Sequence, residues 1–392
     1  MMKTSGTAPS CFKSLNFSSK RVFPPASWIF FCLLSALLSF IFSSGTAAAD
    51  PDRDIAAAAH AGDISRLRAA LAQGANPNSS DSSGGMTPLM WAAASGQKKA
   101  AEILVRSGAH VNTPNNEGRT ALMIASRHGK NDVVLFLLDH EADVNARDNK
   151  GSTALMRAAV GGHADTARIL LTHGANPNTP DDNNGVTPLM MASFKGHEDV
   201  VRVLIAGGAN INARNNFGGT ALMGAAQANQ AGIAKLLIEG GAEVDARDDT
   251  GETAILYASA AGSAAVIPLL ISAKADVNVQ DRKGETALME AAWKGHSQIV
   301  QDLIGAGADP LLADNAGHTA VALAMQMKNG KIESSLRKAM KAAVVSGNRI
   351  VSSSHIYKAP GNSLSSGRPF TMEKPRRPKP GEDFPFSVPH PR

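Results

Sequence analysis

Residues 120–152, TALMIASRHGKNDVVLFLLDHEADVNARDNKGS, form one unit of a pattern that repeats along most of this 392-residue chain. The tetrapeptide that opens the unit recurs at intervals of 33 or 34 residues. Its copies are TPLM at Thr87, TALM at Thr120 and Thr153, TPLM at Thr187, TALM at Thr220, TAIL at Thr253, TALM at Thr286 and TAVA at Thr319. So many copies in phase indicate a repeat protein, in which each unit buries its apolar surface by stacking on its neighbours.

Each unit predicts two antiparallel helices and a turn. The opening Thr is a good N-cap residue, and the Pro that follows it at 88 and 188 is tolerated at a helix start. Nine residues after most of these threonines comes a Gly, which ends the first helix in the left-handed conformation. A second helix follows, with an apolar run such as 133–138, and Asn/Asp/Gly-rich links such as 115–118 predict turns.

The repeat resembles that of the ankyrin repeat family, whose first helix opens with the motif TPLH. The resemblance covers residues 52–345 and implies an all-α ankyrin-repeat α-solenoid, built of helix–turn–helix repeats with β-turn or hairpin links. Three departures are expected to have local effects. Asn229 stands where other copies have Gly, and Asn is the next best left-handed residue. Pro268 is expected to kink a second helix or shorten its start. Met takes the place of the family's His, so packing is expected to replace the His hydrogen bond, at Met90, Met123, Met156, Met190, Met223 and Met289.

These patterns divide the chain into three parts: a secretory signal peptide at 1–49, an ankyrin repeat domain at 50–345 and a disordered Pro/Arg-rich tail at 346–392. Within the domain we expect an N-terminal cap at about 52–83 and a C-terminal cap at 316–345. Between the caps, the predicted repeats are 84–116, 117–149, 150–183, 184–216, 217–249, 250–282 and 283–315.

The signal peptide is predicted from an apolar run at 28–42 that follows basic residues and precedes Ala47-Ala48-Ala49, an A-x-A cleavage pattern. Fifteen residues of helix cover only about 22 Å, less than a bilayer core of about 30 Å, which favours a cleaved signal over a retained anchor. Both cysteines, Cys11 and Cys32, would leave with it. We expect a periplasmic or secreted bacterial protein, although secretion from a eukaryotic cell stays open.

Charge and composition limit the possible functions. The net charge of +5 comes from the two ends of the chain, and residues 50–345 are slightly acidic overall, which disfavours nucleic-acid binding. Histidines follow the repeat instead of clustering, and no Gly-rich phosphate loop or Ca²⁺-loop spacing is present. We therefore expect no enzymatic activity, no cofactor and no metal. The tail, with a P-x-x-P pattern at 375–378, is read as a solvated segment, with a docking role as the alternative.

Few aromatic residues occur in the repeats, and most lie on one side of the first helices. Trp91 and Tyr257 follow their Thr by four residues, and Phe194 and Trp293 by seven, which places them one helical turn apart. In ankyrin repeats this surface lines a concave groove that binds partners. We call the positions four, seven and eight residues after each Thr the first-helix face, and its predicted binding residues are Trp91, Ile124, Arg127, His128, Arg157, Met191, Phe194, Lys195, Gln227, Tyr257, Glu290, Trp293 and Lys294. Packing of the aromatics between repeats is the alternative.

The leading hypothesis is a non-enzymatic, exported and monomeric scaffold that docks another protein in this groove. An inhibitor of the immunity-protein type is one form that such binding could take. The rival hypothesis is a membrane-anchored adaptor with an uncleaved amino-terminal segment. Nothing in the sequence identifies the partner.

Overall fold

The computed structural model describes residues 51–345, which fold into 18 α-helices arranged as nine pairs. The first helices of the pairs are α1 Pro51–Ala61, α3 Pro88–Ser95, α5 Ala121–Arg127, α7 Ala154–Gly161, α9 Pro188–Lys195, α11 Ala221–Gln227, α13 Ala254–Ala261, α15 Ala287–Lys294 and α17 Ala320–Gln326. The second helices are α2 Ile64–Ala72, α4 Lys98–Arg106, α6 Asn131–Asp139, α8 Ala164–Thr172, α10 Glu198–Ala206, α12 Ala231–Glu239, α14 Ile267–Ser272, α16 Ser297–Gly305 and α18 Gly330–Val345. The predicted all-α solenoid fold is confirmed.

The repeated Thr caps the first helices. The Thr87 hydroxyl accepts a 3.3 Å hydrogen bond from the Met90 N–H, and the same bond recurs in most repeats. The six methionines that replace the family's His are all buried, and the Met90 sulfur accepts a 3.5 Å hydrogen bond from the Thr87 N–H. Packing therefore takes the place of the His contact, as expected. Thr253 is the exception, because its hydroxyl is buried without a hydrogen-bond partner.

Left-handed residues end the first helices where the sequence predicts them. Gly96 has φ 77°, and Asn229 adopts φ 55° at the equivalent place, which confirms the expectation for Asn. Pro268 lies in the first turn of α14, which has only six residues, whereas α12 and α16 have nine each. The Pro thus shortens the start of its helix.

Small side chains let the first helices pack closely on one another. Ala or Ser residues five and six positions after every Thr except Thr319, such as Ala92 and Ala93, are fully buried, and each first helix contacts the next. The second helices cover this stack and add Leu, Ile and Val to the same apolar core. Because each pair contacts its neighbours in sequence, the core is continuous from Ile55 to Leu336.

Two sets of hydrogen bonds join the links of neighbouring repeats. At the turn tips, the Asn149 N–H donates to the Glu117 carbonyl at 3.0 Å, and the Asp249 N–H donates to the Phe217 carbonyl at 2.9 Å. After the second helices, the Asn112 amide donates to the Glu141 carbonyl at 3.0 Å and accepts from the N–H of residue 143 at 2.9 Å. We call the second set the Asn ladder.

The Asn ladder is incomplete at one step. Asp245 accepts a 3.0 Å hydrogen bond from the Asp276 N–H, but it has no amide group to donate to the next carbonyl. That carbonyl belongs to Lys274, which adopts φ 63° where Gly241 and Gly307 stand in the neighbouring repeats. The repeat that contains Lys274 also contains the shortened α14. Three features therefore weaken the solenoid at this repeat: the missing amide donor of Asp245, the left-handed backbone of Lys274 and the short α14.

The predicted signal peptide at 1–49 and the predicted tail at 346–392 lie outside the described residues. Among the helices at 51–345, none combines the length and the apolar character that crossing a bilayer requires.

Candidate protein-binding site

The first-helix face carries a mixture of exposed and half-buried side chains. Arg127, His128, Lys195 and Lys294 are exposed and form its rim. Half-buried positions lie between them, at Trp91, Arg157, Phe194, Gln227, Tyr257 and Trp293. Exposed Phe217 lies on a turn tip of the link before α11. The helical offset of the aromatics is as predicted, and their role in binding stays a prediction.

Three residues of the predicted set are buried: Ile124, Met191 and Glu290. The charged Glu290 is described below, and the two apolar residues need a correction. Ile124 and Met191 are only 8% and 5% exposed, so they do not belong to an accessible binding surface. Both lie four residues after their Thr, like half-buried Trp91 and Tyr257, but their apolar side chains are part of the core. Their role is packing of the solenoid.

The aromatics are neither core nor fully exposed. The Trp91 ring meets His60 of α1 edge to face, with ring centroids 5.4 Å apart. Tyr257 and Trp293 pack against the apolar core, and part of the surface of each side chain stays accessible. Rings held in this way lose little rotamer freedom when a partner covers them, which suits interface anchors.

One charged position of the face, Arg157, pairs with Asp148 in the link before it, a contact that sequence analysis did not single out. Asp148 Oδ1 accepts 2.9 Å hydrogen bonds from the N–H groups of Lys150 and Ser152, while Oδ2 pairs with the Arg157 guanidinium. Burial alone would raise the pKa of Asp148. Hydrogen bonds from the Ser152 N–H and from Arg157 outweigh burial, and the pKa lies below its ordinary value.

Tyr257 repeats this arrangement with a neutral donor. Its hydroxyl donates a 2.7 Å hydrogen bond to Asp248 Oδ2, and Asp248 Oδ1 accepts from the N–H groups of Thr250 and Glu252. Burial, with Glu252 and Asp248 beside it, raises the pKa of Tyr257, which keeps the hydroxyl protonated. In both repeats the donor lies nine residues after the Asp, a spacing that would have identified the pairs from sequence.

Glu290 occupies the same position relative to Asp281, yet it brings a carboxyl group instead of a donor. It is 8% exposed, and burial together with Glu285 raises its pKa to about 7. Burial likewise raises the pKa of Glu252 and Glu285. These three glutamates, with Asp248 and Asp281, form a set of carboxyl groups that we call the acidic cluster.

The remaining predicted positions have individual environments. Burial lowers the pKa of His128, and the nearby charges of Arg127 and Lys130 add to this effect. The Gln227 side-chain oxygen is buried without a hydrogen-bond partner in the structure.

The histidines at the start of the second helices serve the scaffold. His163 Nε2 lies 3.1 Å from the Arg127 carbonyl oxygen, and His197 Nε2 lies 3.1 Å from that of Val160, so each joins two repeats. Within 51–345, no three His, Cys, Asp or Glu side chains are arranged to hold a metal ion. The acidic cluster therefore lacks the geometry of a metal centre.

Comparison with known protein families agrees with the architecture. A family model described as ankyrin repeats (3 copies) matches residues 55–148, 144–215 and 207–281, and one described as ankyrin repeats (many copies) matches 270–324. No individual curated protein gives a significant match to the chain. Ankyrin repeat proteins are in general non-enzymatic scaffolds for protein–protein interaction. The family matches and the stacked helix pairs together place the chain in the ankyrin repeat family.

Proposed function

We propose that this protein is an exported, non-enzymatic scaffold that docks a partner protein on its first-helix face. The observation that carries the proposal is the set of half-buried aromatics on four of the first helices, α3, α9, α13 and α15, at Trp91, Phe194, Tyr257 and Trp293. Each ring rests on a rigid stack, so binding costs little ordering entropy. Large aromatics beside arginines are the residue types that contribute most to protein–protein affinity.

The test compares partner capture by variants of the face and of the opposite side. Cells that express the full chain are crosslinked mildly, and the bound proteins are identified by mass spectrometry. Phe194→Ala and Trp293→Ala should lose the same partner that the wild type retains. Leu135→Ala, which removes a 37% exposed side chain of the second helix α6, should retain it and serves as the control.

Thermal unfolding of the same variants separates binding from folding. A Trp293→Ala variant that loses the partner and keeps its melting temperature supports the proposal. A melting temperature lowered by several degrees would make Trp293 a core residue. Capture that is equal for the face variants and the control would contradict the proposed function.

The export part of the proposal rests on the apolar run at 28–42 and the alanines at 47–49. Amino-terminal sequencing of the mature protein tests it. A chain that starts at Asp50 supports export with cleavage. A chain that keeps the run would favour the alternative, an adaptor anchored to a membrane by that segment.

A further inference from the structure

The acidic cluster lies on two neighbouring repeats and has few cations beside it. Glu252 precedes α13, Glu285 precedes α15, and Glu290 lies in the first turn of α15. Glu252 and Glu285 hold equivalent places, each one residue before the Thr that caps its first helix, and the charges of both raise the pKa of Glu290. The nearby cations are Lys283 and Lys294, and both are exposed.

Glu290 is the unusual member, because it is buried and unpaired. No hydrogen bond or ion pair to its carboxyl group occurs in the described part of the chain, although nine-tenths of the residue is buried. Lys283, the cation that forms an ion pair in the cluster, contacts Glu285 at 3.9 Å. Burying an unpaired ionised carboxyl group costs free energy, so the charged form of Glu290 does not stabilise the fold.

Comparison between repeats shows what stability would require at this position. Arg157 and Tyr257 each lie nine residues after a link Asp and donate to its Oδ2. Glu290 lies nine residues after Asp281 and has nothing to donate when it is ionised. An acceptor thus stands where two other repeats use a donor to the link Asp. No side chain of the described repeats donates to the ionised Glu290, which leaves the carboxylate available to a donor from a bound molecule.

Aromatic surface lies beside the cluster. Trp293 is three residues after Glu290 on the same side of α15, and Tyr257 holds the equivalent of the Glu290 position on α13. A cation drawn to the carboxylates would therefore also meet aromatic rings, which attract cations through their faces. A guanidinium group has five N–H donors in a planar fork and stacks on such rings, whereas an ammonium group offers a point charge.

We propose that Glu290, together with Glu252 and Glu285, forms a pocket for an arginine side chain in a basic segment of the partner protein. This inference rests on the proposed function and specifies the partner's chemistry: an arginine-bearing segment that crosses α13 and α15 on the first-helix face. The absence of metal-binding geometry among residues 51–345 separates this pocket from a divalent-cation site.

The first experiment measures binding of a fluorescein-labelled peptide, Arg-Gly-Arg-Gly-Arg-Gly-Arg, to the full-length protein by polarisation at low ionic strength. Glu290→Gln removes one charge without changing side-chain size and should weaken binding at least about 5-fold, the loss expected for a charge-assisted contact. Glu239→Gln removes the same charge from exposed α12 and should change binding less than about 2-fold, as screened surface charges do. Equal effects of the two substitutions would overturn the pocket.

A proton readout separates the pocket from a structural effect of the substitution. An arginine against Glu290 favours its ionised form, so binding at pH 7 should release protons and become tighter from pH 6 to pH 8. Glu285 and Glu252 raise the pKa of Glu290, and the charges of Lys294 and Lys283 lower it. Calorimetry in buffers of different ionisation enthalpy measures the release, and Glu290→Gln should reduce it. Release that is unchanged in this variant would contradict the proposal.

The tail of the chain is itself basic, with Lys374, Arg376, Arg377 and Lys379. Because its arginines could occupy the same pocket, a further variant tests the tail. These four residues are changed to Gln in the full-length protein. Unchanged peptide binding supports a pocket that is open to a partner. Binding that appears only after this change, and that Glu290→Gln then removes, would assign the pocket to the tail and overturn the assignment to a partner.

Failure of this inference is distinguishable from failure of the proposed function. Loss of the cellular partner in Phe194→Ala, with peptide binding that does not depend on Glu290, would retain the scaffold and reject the arginine pocket. Partner capture that depends on neither the aromatics nor Glu290 would reject both.

Discussion

The Tyr257 hydroxyl donates a 2.7 Å hydrogen bond to Asp248 Oδ2, in the same relation that joins Arg157 to Asp148. Both Asp side chains also hold a link turn through their Oδ1 atoms. The face that we propose for binding is thus attached to the turns that align the repeats. Substitutions on this face can therefore change stability as well as affinity.

Tyr257→Phe should destabilise the protein, because it leaves the buried Asp248 without its Oδ2 donor. The expected loss is about 1–3 kcal/mol in the free energy of unfolding, the range for a hydrogen bond to a charged group. Urea denaturation measures it. Thr172→Val, which removes an exposed hydroxyl group in α8, is the control and should change stability by less than about 0.5 kcal/mol. No loss in Tyr257→Phe would show that the contact does not stabilise the fold.

Stability should fall between pH 5 and pH 8 partly because of Glu290. Its pKa is raised from 4.5 to about 7, so the stability that it contributes is present below 4.5 and is lost as the pH rises through 7. The full effect corresponds to about 3 kcal/mol. Burial lowers the pKa of His128, which gives the opposite trend, so the comparison must be made between variants.

Glu290→Gln isolates the Glu290 contribution. At pH 8 the variant should be more stable than the wild type by up to about 3 kcal/mol, and at pH 5 the difference should be small. Chemical denaturation at the two pH values is the measurement. A difference that is the same at both pH values would show that the pKa of Glu290 is not raised.

Asp245→Asn should stabilise the protein by completing the Asn ladder. The equivalent amides of Asn212 and Asn278 donate to the Gly241 and Gly307 carbonyls at 3.1 and 3.3 Å. A new bond to the Lys274 carbonyl should add about 0.5–1 kcal/mol. Asp276→Asn removes the same charge nearby, but Asp276 accepts only from a local N–H, so it is the matched control. Equal effects in thermal unfolding would attribute the gain to charge alone.

Three buried serines should tolerate replacement by Ala. The hydroxyl groups of Ser126, Ser193 and Ser259 are buried without hydrogen-bond partners, and the other repeats have Ala93, Ala159, Ala226 or Ala292 at this position. Ser126→Ala should leave stability unchanged or raise it by up to about 1 kcal/mol, since an unsatisfied hydroxyl group is removed. The reverse change, Ala159→Ser, should destabilise. A loss of more than about 1 kcal/mol in Ser126→Ala would mean that the hydroxyl group is bonded in solution.

Much of the fold was predictable from residues that act locally. The Thr caps, the left-handed Asn229 and the helix shortened at Pro268 depend on conformations that neighbouring residues determine. The environment of the first-helix face was less predictable. Whether a residue four positions after Thr is buried, like Met191, or half-buried, like Tyr257, depends on side chains supplied by a repeat 33 residues away.

The acidic cluster was not predicted from the sequence. Its carboxyl groups are separated by up to 42 residues, from Asp248 to Glu290, and become neighbours only when the repeats stack. The raised pKa of Glu290 follows from burial, which composition does not report. The nine-residue spacing from Asp281 was a usable signal, because Arg157 and Tyr257 show what that position ordinarily holds.

The interrupted Asn ladder has a mechanical consequence. All the remaining steps of the Asn ladder resist sliding of one repeat over the next. The step at Asp245 lacks a donor, and the short α14 offers less apolar contact to hold the two repeats together. Tension applied to the two ends of the domain would concentrate at this step. The solenoid would then part into a long amino-terminal segment and a short carboxyl-terminal one, and the boundary would fall beside Glu252.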